Sequence, residues 1–186
     1  MKNNKEIDIQ NIDTLINQLQ SKDTQFKKAV RILQIFFFAL IFLYTILYVF
    51  NPDDEMDFNQ RIGGVCYVLA FTLLAFHFRN KYSKFKNVNY SVSVKELINE
   101  AEKRYRFWKG NQFSSFLAII LLDVGTCLIL IQYFSDKWSI LQIIISVQVF
   151  NIISASIGFI IGYIKWKKEI RPFWISLKTM LKEFEE

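Results

Sequence analysis

The sequence predicts an all-α integral membrane protein, with four transmembrane helices as two hairpins and three cytoplasmic amphipathic helices. Three observations predict it. Apolar residues make up 52% and aromatics 17% of the 186 residues, more than an ordinary soluble domain of this size carries. They gather in four runs, residues 32–50, 62–78, 113–134 and 140–164, each about long enough to cross roughly 30 Å of hydrocarbon as a helix. Asp123 is the single formal charge inside those runs, and charged segments separate them.

Residues 1–28 form the first cytoplasmic segment, in which Ile9, Ile12, Leu15, Ile16 and Leu19 recur at helical spacing and define one face. Residues 29–80 hold the first transmembrane hairpin. Its first run begins at Ile32 and is long enough to span, so an uncleaved anchor is expected rather than a cleavable signal. The loop of this hairpin, NPDDEMDFNQ, places four carboxylates in five positions. A calcium loop starting at Asp53 needs glycine at its sixth position and an acid at its twelfth, and Phe58 and Gly64 stand there instead. The loop is therefore read as an acidic external turn after Pro52.

Residues 81–111 form the second cytoplasmic segment, with Val94, Leu97, Ile98, Ala101, Tyr105 and Trp108 on one helical face and Ser91 or Ser93 as candidate cap. Leu97, Ile98, Tyr105 and Trp108 are the candidate interaction face for a protein partner. The stretch EAEKRYRFWKG, residues 100–110, reads as the solvated side and interfacial end of that helix, in preference to a phosphoinositide or RNA site. Residues 112–165 hold the second hairpin. Residues 166–186 carry Trp174, Leu177, Leu181 and Phe184 on one face, with Pro172 near the helix start, where a missing amide is tolerated. The three helical segments can lie among lipid headgroups, pack on one another beneath the membrane, or dock a partner helix. Trp108, Trp138 and Trp166 fall at membrane boundaries and are expected to anchor there.

An internal duplication accounts for part of this order. IDTLINQLQ at 12–20, VKELINEAE at 94–102 and LKTMLKEFE at 177–185 share an apolar pattern, at offsets near the spacing of the two hairpins.

Orientation follows from the basic residues. Six lie up to Arg31, nine from Arg79 to Lys109 and six from Lys165 onward, so 21 of the 23 fall on one side. Both termini and the central loop are thus expected in the cytoplasm. The net charge of +6 is topological bias, with secondary attraction for anionic lipid, and no nucleic-acid partner is expected. Abundant Ile, Phe, Lys and Asn fit an AT-rich genome, so a bacterial inner (plasma) membrane is the expected location.

The functional question centres on the second hairpin. Its short loop near Lys137 sets Asp123 level with Asn151, and Thr126 level with Gln148, close to mid-membrane. Within each helix the two members are three residues apart and share a face. Gln132 and Gln142 also match in height but point the opposite way. No Lys or Arg lies in the spans, and an ionised carboxylate in apolar surroundings costs several kcal/mol, so a neutral Asp123 hydrogen-bonded to the Asn151 amide is the expected state. On the same helix Ser154, Gly158 and Gly162 follow at spacings of four, a small-residue face on which helices approach closely in lipid.

The remaining inventory argues against catalysis. With one histidine, His77, two dispersed cysteines, Cys66 and Cys127, and no glycine-rich phosphate loop, neither a zinc site nor a P-loop can be assembled. No cofactor is expected, and an enzyme only where a partner supplies the active site. The cysteines read as small packing residues and His77 as an interfacial residue. The leading expectation is a non-enzymatic membrane scaffold or accessory subunit, regulatory in one version, that binds a partner through its cytoplasmic helices. The competing one is a small homo-oligomeric transporter or channel that moves protons through Asp123.

Overall fold

The computed structural model describes residues 9–51, 56–106 and 113–184, with side chains from Thr14 onward. The side chains of Ile9 and Ile12, most of the acidic loop including Asp53, and Trp108 lie outside the described residues. Among the described residues six α-helices follow in order: α1 Ile9–Tyr44, α2 Phe58–Lys86, α3 Val94–Tyr105, α4 Phe113–Phe134, α5 Ile140–Lys165 and α6 Arg171–Glu183. Single π-helical turns, Thr45–Val49 and Trp166–Ile170, extend α1 and join α5 to α6. Among the described residues there is no strand. Four helices are long and apolar enough to cross a membrane, those that contain the four apolar runs.

The helix ends follow from local chemistry. Asp57, the last acid of the acidic loop, accepts from the Phe58 N–H at 2.7 Å, while Gln60 reaches back to accept from the Asp57 N–H at 3.2 Å, a reciprocal cap that starts α2. Ser139 and Gln142 make the same box at the start of α5, so Gln142 serves the turn rather than the bilayer midplane. Ser93, of the two candidates, caps α3 through the Glu96 N–H. Pro172 stands in the first turn of α6. Each such cap stabilises its helix by roughly 1 kcal/mol.

Two boundaries differ from the expected ones. Residues 9–28 and the first apolar run as far as Tyr44 form one unbroken helix, because residues 21–36 contain neither glycine nor proline and nothing there interrupts the hydrogen-bond ladder. The last run likewise passes into the C-terminal helix through the π-helical turn, with no intervening loop. In the middle of the chain, by contrast, α3 ends at Tyr105 and α4 begins only at Phe113.

The molecule has two kinds of packing. α2 lies between α1 and α4, and α4 meets α5 beside the short turn of residues 135–139. The apolar side chains of these helices mostly face outward, with Phe42 at 70% and Phe150 at 68% exposure within the protein. At the other end the first part of α1, α3 and α6 close around Leu15, Leu19, Leu97, Ile98, Ala101, Tyr105, Phe173 and Leu177. Leu19, Leu97, Ile98 and Leu177 are essentially sealed there, each contributing about 1.5–3 kcal/mol by area. Of the three fates open to these apolar faces, the structure shows packing on one another.

Candidate functional site

Asp123 sits in the middle of α4, one turn before Thr126, and faces α5. Its two carboxyl oxygens are taken by two amides from successive turns of α5: Gln148 Nε2 donates to Oδ2 at 2.7 Å, and Asn151 Nδ2 donates to Oδ1. Asp123 is thus hydrogen-bonded to Gln148 as well as to the expected Asn151. Gln148 reaches it because its side chain is one methylene longer than asparagine and bridges one helical turn.

Thr126 goes elsewhere. Its hydroxyl lies 2.7 Å from the Tyr67 hydroxyl of α2, and it also donates to the Leu122 carbonyl of its own helix. The polar stripe therefore spans three helices, α2, α4 and α5, instead of two. The Tyr67 ring packs on Tyr44 of α1 and on Phe71, which connects the stripe to the first helix. Among the described residues no direct hydrogen bond joins the Tyr67–Thr126 pair to Asp123.

The close approach that brings Thr126 to Tyr67 depends on glycines of α2 and α4. A Cβ added at Gly63 would lie 2.9 Å from the Gly125 carbonyl oxygen and 2.8 Å from Ile129 Cγ1, and one at Gly125 would lie 2.8 Å from the Gly63 oxygen and 3.3 Å from Cys66 Cβ. Gly64 is pressed against the Tyr48 side chain. A row of small residues spaced by four singles out α5, whereas this seam uses single glycines on two helices whose pairing no loop reveals. Gly158 and Gly162 have nothing within 4 Å of an added Cβ, and Ser154 is exposed. Every residue from Ile152 to Lys165 is exposed within the chain. His77 completes the α2–α4 seam at its far end, with Nδ1 at 3.2 Å from Ser114 Oγ and 3.4 Å from Ser115 Oγ.

A second polar cluster lies in the small bundle. Asp23, on α1, is 2% exposed and receives the Tyr105 hydroxyl at 2.6 Å, the Tyr90 hydroxyl at 2.8 Å and the Arg104 guanidinium at 3.2 Å. Burial, followed by the hydrogen bond to Asp23, pushes both tyrosine hydroxyls far above their ordinary pKa. Tyr105 also packs edge-on against Phe26 and Phe173, so its ring belongs to the core and its hydroxyl to the carboxylate. Leu97, Ile98 and Tyr105 of the candidate interaction face are thus all in the bundle interior. Trp166 donates from Nε1 to the Tyr105 carbonyl at 3.1 Å, and Trp174 to Glu102 at 3.0 Å, which fasten the α5–α6 junction to α3. No periodicity marks Asp23 in the sequence, since it lies among Lys22, Thr24 and Gln25 in a charged stretch.

No family model matches this chain, and neither a curated protein nor a solved structure does.

Proposed function

We propose that the protein is a non-enzymatic integral membrane scaffold or accessory subunit, regulatory in character, that assembles laterally through α5. One observation carries the proposal: Gly158 and Gly162 have nothing within 4 Å of an added Cβ and Ser154 is exposed, so the small-residue row of α5 stands open. In lipid, helices associate by close packing of small residues and by interhelical hydrogen bonds, and this helix offers the first along its length. The Asp123–Gln148–Asn151 clasp supports this by pinning the other half of α5 to α4, which presents the open half as a fixed surface.

The small bundle fits a cytoplasmic location, because the basic residues flank it and the acidic loop lies at the other end. Its apolar faces serve its own core, so the partner surface proposed is the open small-residue row of α5. The likeness among the helical segments at 12–20, 94–102 and 177–185 supports descent from a duplicated helix-and-hairpin unit, although the first copy is fused to its span and the second is not.

The test is the native mass of the complex extracted gently from its own membrane, for the natural chain and for Gly158→Ile. Assembly through α5 predicts a mass above that of one copy, lost in the variant, with folding intact because the position is open within the chain. A single copy with lipid alone, or a complex indifferent to the substitution, overturns the proposal. A second reading, a homo-oligomeric proton-coupled carrier or channel, draws on Asp123, an ionisable group in an apolar run whose described partners include no cation. It predicts that Asp123→Asn abolishes pH-gradient-driven flux in liposomes while the protein stays folded.

A further inference from the structure

The bundle and the apolar helices meet at a polar cleft of about 620 Å³ that plays no part in the core or the clasp. α2 contributes Asn80, Ser83 and Lys84 from one face, and Asn87, the residue that caps its C-terminus, completes that side. From α3 come Glu100, Lys103 and Arg104, again one face. We infer that this cleft binds a phosphate group, presented by the headgroup of an anionic phospholipid.

Chemistry, charge and depth support it. The lining sets three cations against one carboxylate and adds amide and hydroxyl donors, the set that charge-assisted recognition of phosphate oxygens uses. Among the described residues Lys84 and Lys103 carry no ion pair, and both are exposed. Arg104 is held from behind by Asp23 at 3.2 Å and from the side by Glu100 at 3.6 Å, with 10% of its side chain exposed, yet its buried Nε has no hydrogen-bond partner. Arg104 thus stands as a fixed third cation in the lining of the cleft.

Depth selects the lipid. The apolar run of α2 ends at Phe78, so Ser83 and Lys84 lie roughly 8 Å past it at the helical rise, and a headgroup layer is roughly 5–8 Å deep. The stretch EAEKRYRFWKG supplies three of the seven lining residues, Glu100, Lys103 and Arg104. Orientation in the membrane and assembly through α5 are not needed for the inference.

The experiment uses the purified full chain in detergent, titrated with dioctanoyl phosphatidylglycerol, dioctanoyl phosphatidylcholine and inorganic phosphate, with bound ligand counted by native mass spectrometry. Phosphatidylglycerol is expected to bind about tenfold more tightly than phosphatidylcholine. The double variant Lys84→Gln/Lys103→Gln is expected to lose about tenfold in that affinity. Lys84→Arg/Lys103→Arg should retain it, and Lys28→Gln/Lys86→Gln, which removes equal charge from exposed positions outside the cleft, should not change it. Binding of inorganic phosphate with the same dependence on Lys84 and Lys103, but no preference for phosphatidylglycerol, would keep the site and assign it to a soluble phosphate. Binding of neither probe, or equal losses in both glutamine double variants, overturns it. Since neither lysine has an ion pair among the described residues, loss of folding does not confound the result, and the arginine variant controls for it.

Discussion

The two carboxylates held inside this chain, Asp23 and Asp123, are met by opposite means. Asp23 is 2% exposed in the small bundle and is matched by a guanidinium and two tyrosine hydroxyls. Asp123, within an apolar run, is met only by the amides of Gln148 and Asn151, both from one helix. A full cation beside Asp23 offsets much of the cost of taking charge out of water, whereas two amide dipoles offset less. Asp23 ties α1 to α3 and to the segment before it, while Asp123 ties α4 to α5 alone. The first organises a core; the second fixes the relation of two neighbours.

The comparison breaks most visibly at Asp23. Asp23→Leu leaves Arg104 with only the exposed Glu100 and strands two tyrosine hydroxyls, and is expected to cost about 3–5 kcal/mol, read as loss of the bundle by tryptophan fluorescence on denaturation. Asp123→Leu strands two neutral amides and is expected to cost about 1–3 kcal/mol in the same assay. If the two losses were equal, the cation would not be what separates the sites. Asp123→Asn, which keeps a hydrogen-bonding group, should cost under about 1 kcal/mol, whereas Asp23→Asn removes the charge facing Arg104 and should cost more.

The glycines give a contrast of similar size. Gly63→Ala meets the Gly125 carbonyl and Ile129 and should cost about 1–3 kcal/mol, while Gly158→Ala, in open space within the chain, should leave the stability of a single copy unchanged. Thermal unfolding of the two variants in one detergent compares them directly.

The smallest effect is a pH dependence, and it belongs to the Asp23 site. Tyr90 and Tyr105 have hydroxyls raised above the ordinary value of 10.0, so the folded state keeps protons that the unfolded chain releases. Their contribution is complete below pH 10 and is lost as pH climbs from there toward the folded-state values. The melting temperature should fall above about pH 10 in the natural chain, and less steeply in Tyr90→Phe. Equal slopes would mean that some other group governs alkaline unfolding.

The sequence made the apolar helices legible because hydrophobicity and length are local properties. The pairing of Asp123 with Asn151 was legible for a related reason: a short turn at residues 135–139 sets the heights of the two helices that flank it. Gln148 was matched to Thr126 by height alone, and side-chain reach decided otherwise. Thr126 found Tyr67 on a helix that no short loop connects to α4, so its partner depends on how α2 packs. Asp23 is the extreme case. Its burial arises where Tyr90, Arg104 and Tyr105 arrive from segments more than sixty residues away, and nothing beside it in the chain signals that.

The unbroken course of α1 has a mechanical consequence. Its 36 residues carry both the first apolar run and the Leu15, Leu19 and Asp23 positions of the bundle, and no hinge separates them. Leu19 lies 13 residues before Ile32, about 20 Å along the axis, so a change of about 10° in helix tilt displaces it by about 3 Å. Helices adjust tilt to match bilayer thickness. If α1 crosses a membrane, as its length and composition allow, a thinner or thicker one would act on it as a hand on a lever, with its short arm seated in the core that Leu97, Ile98 and Leu177 close.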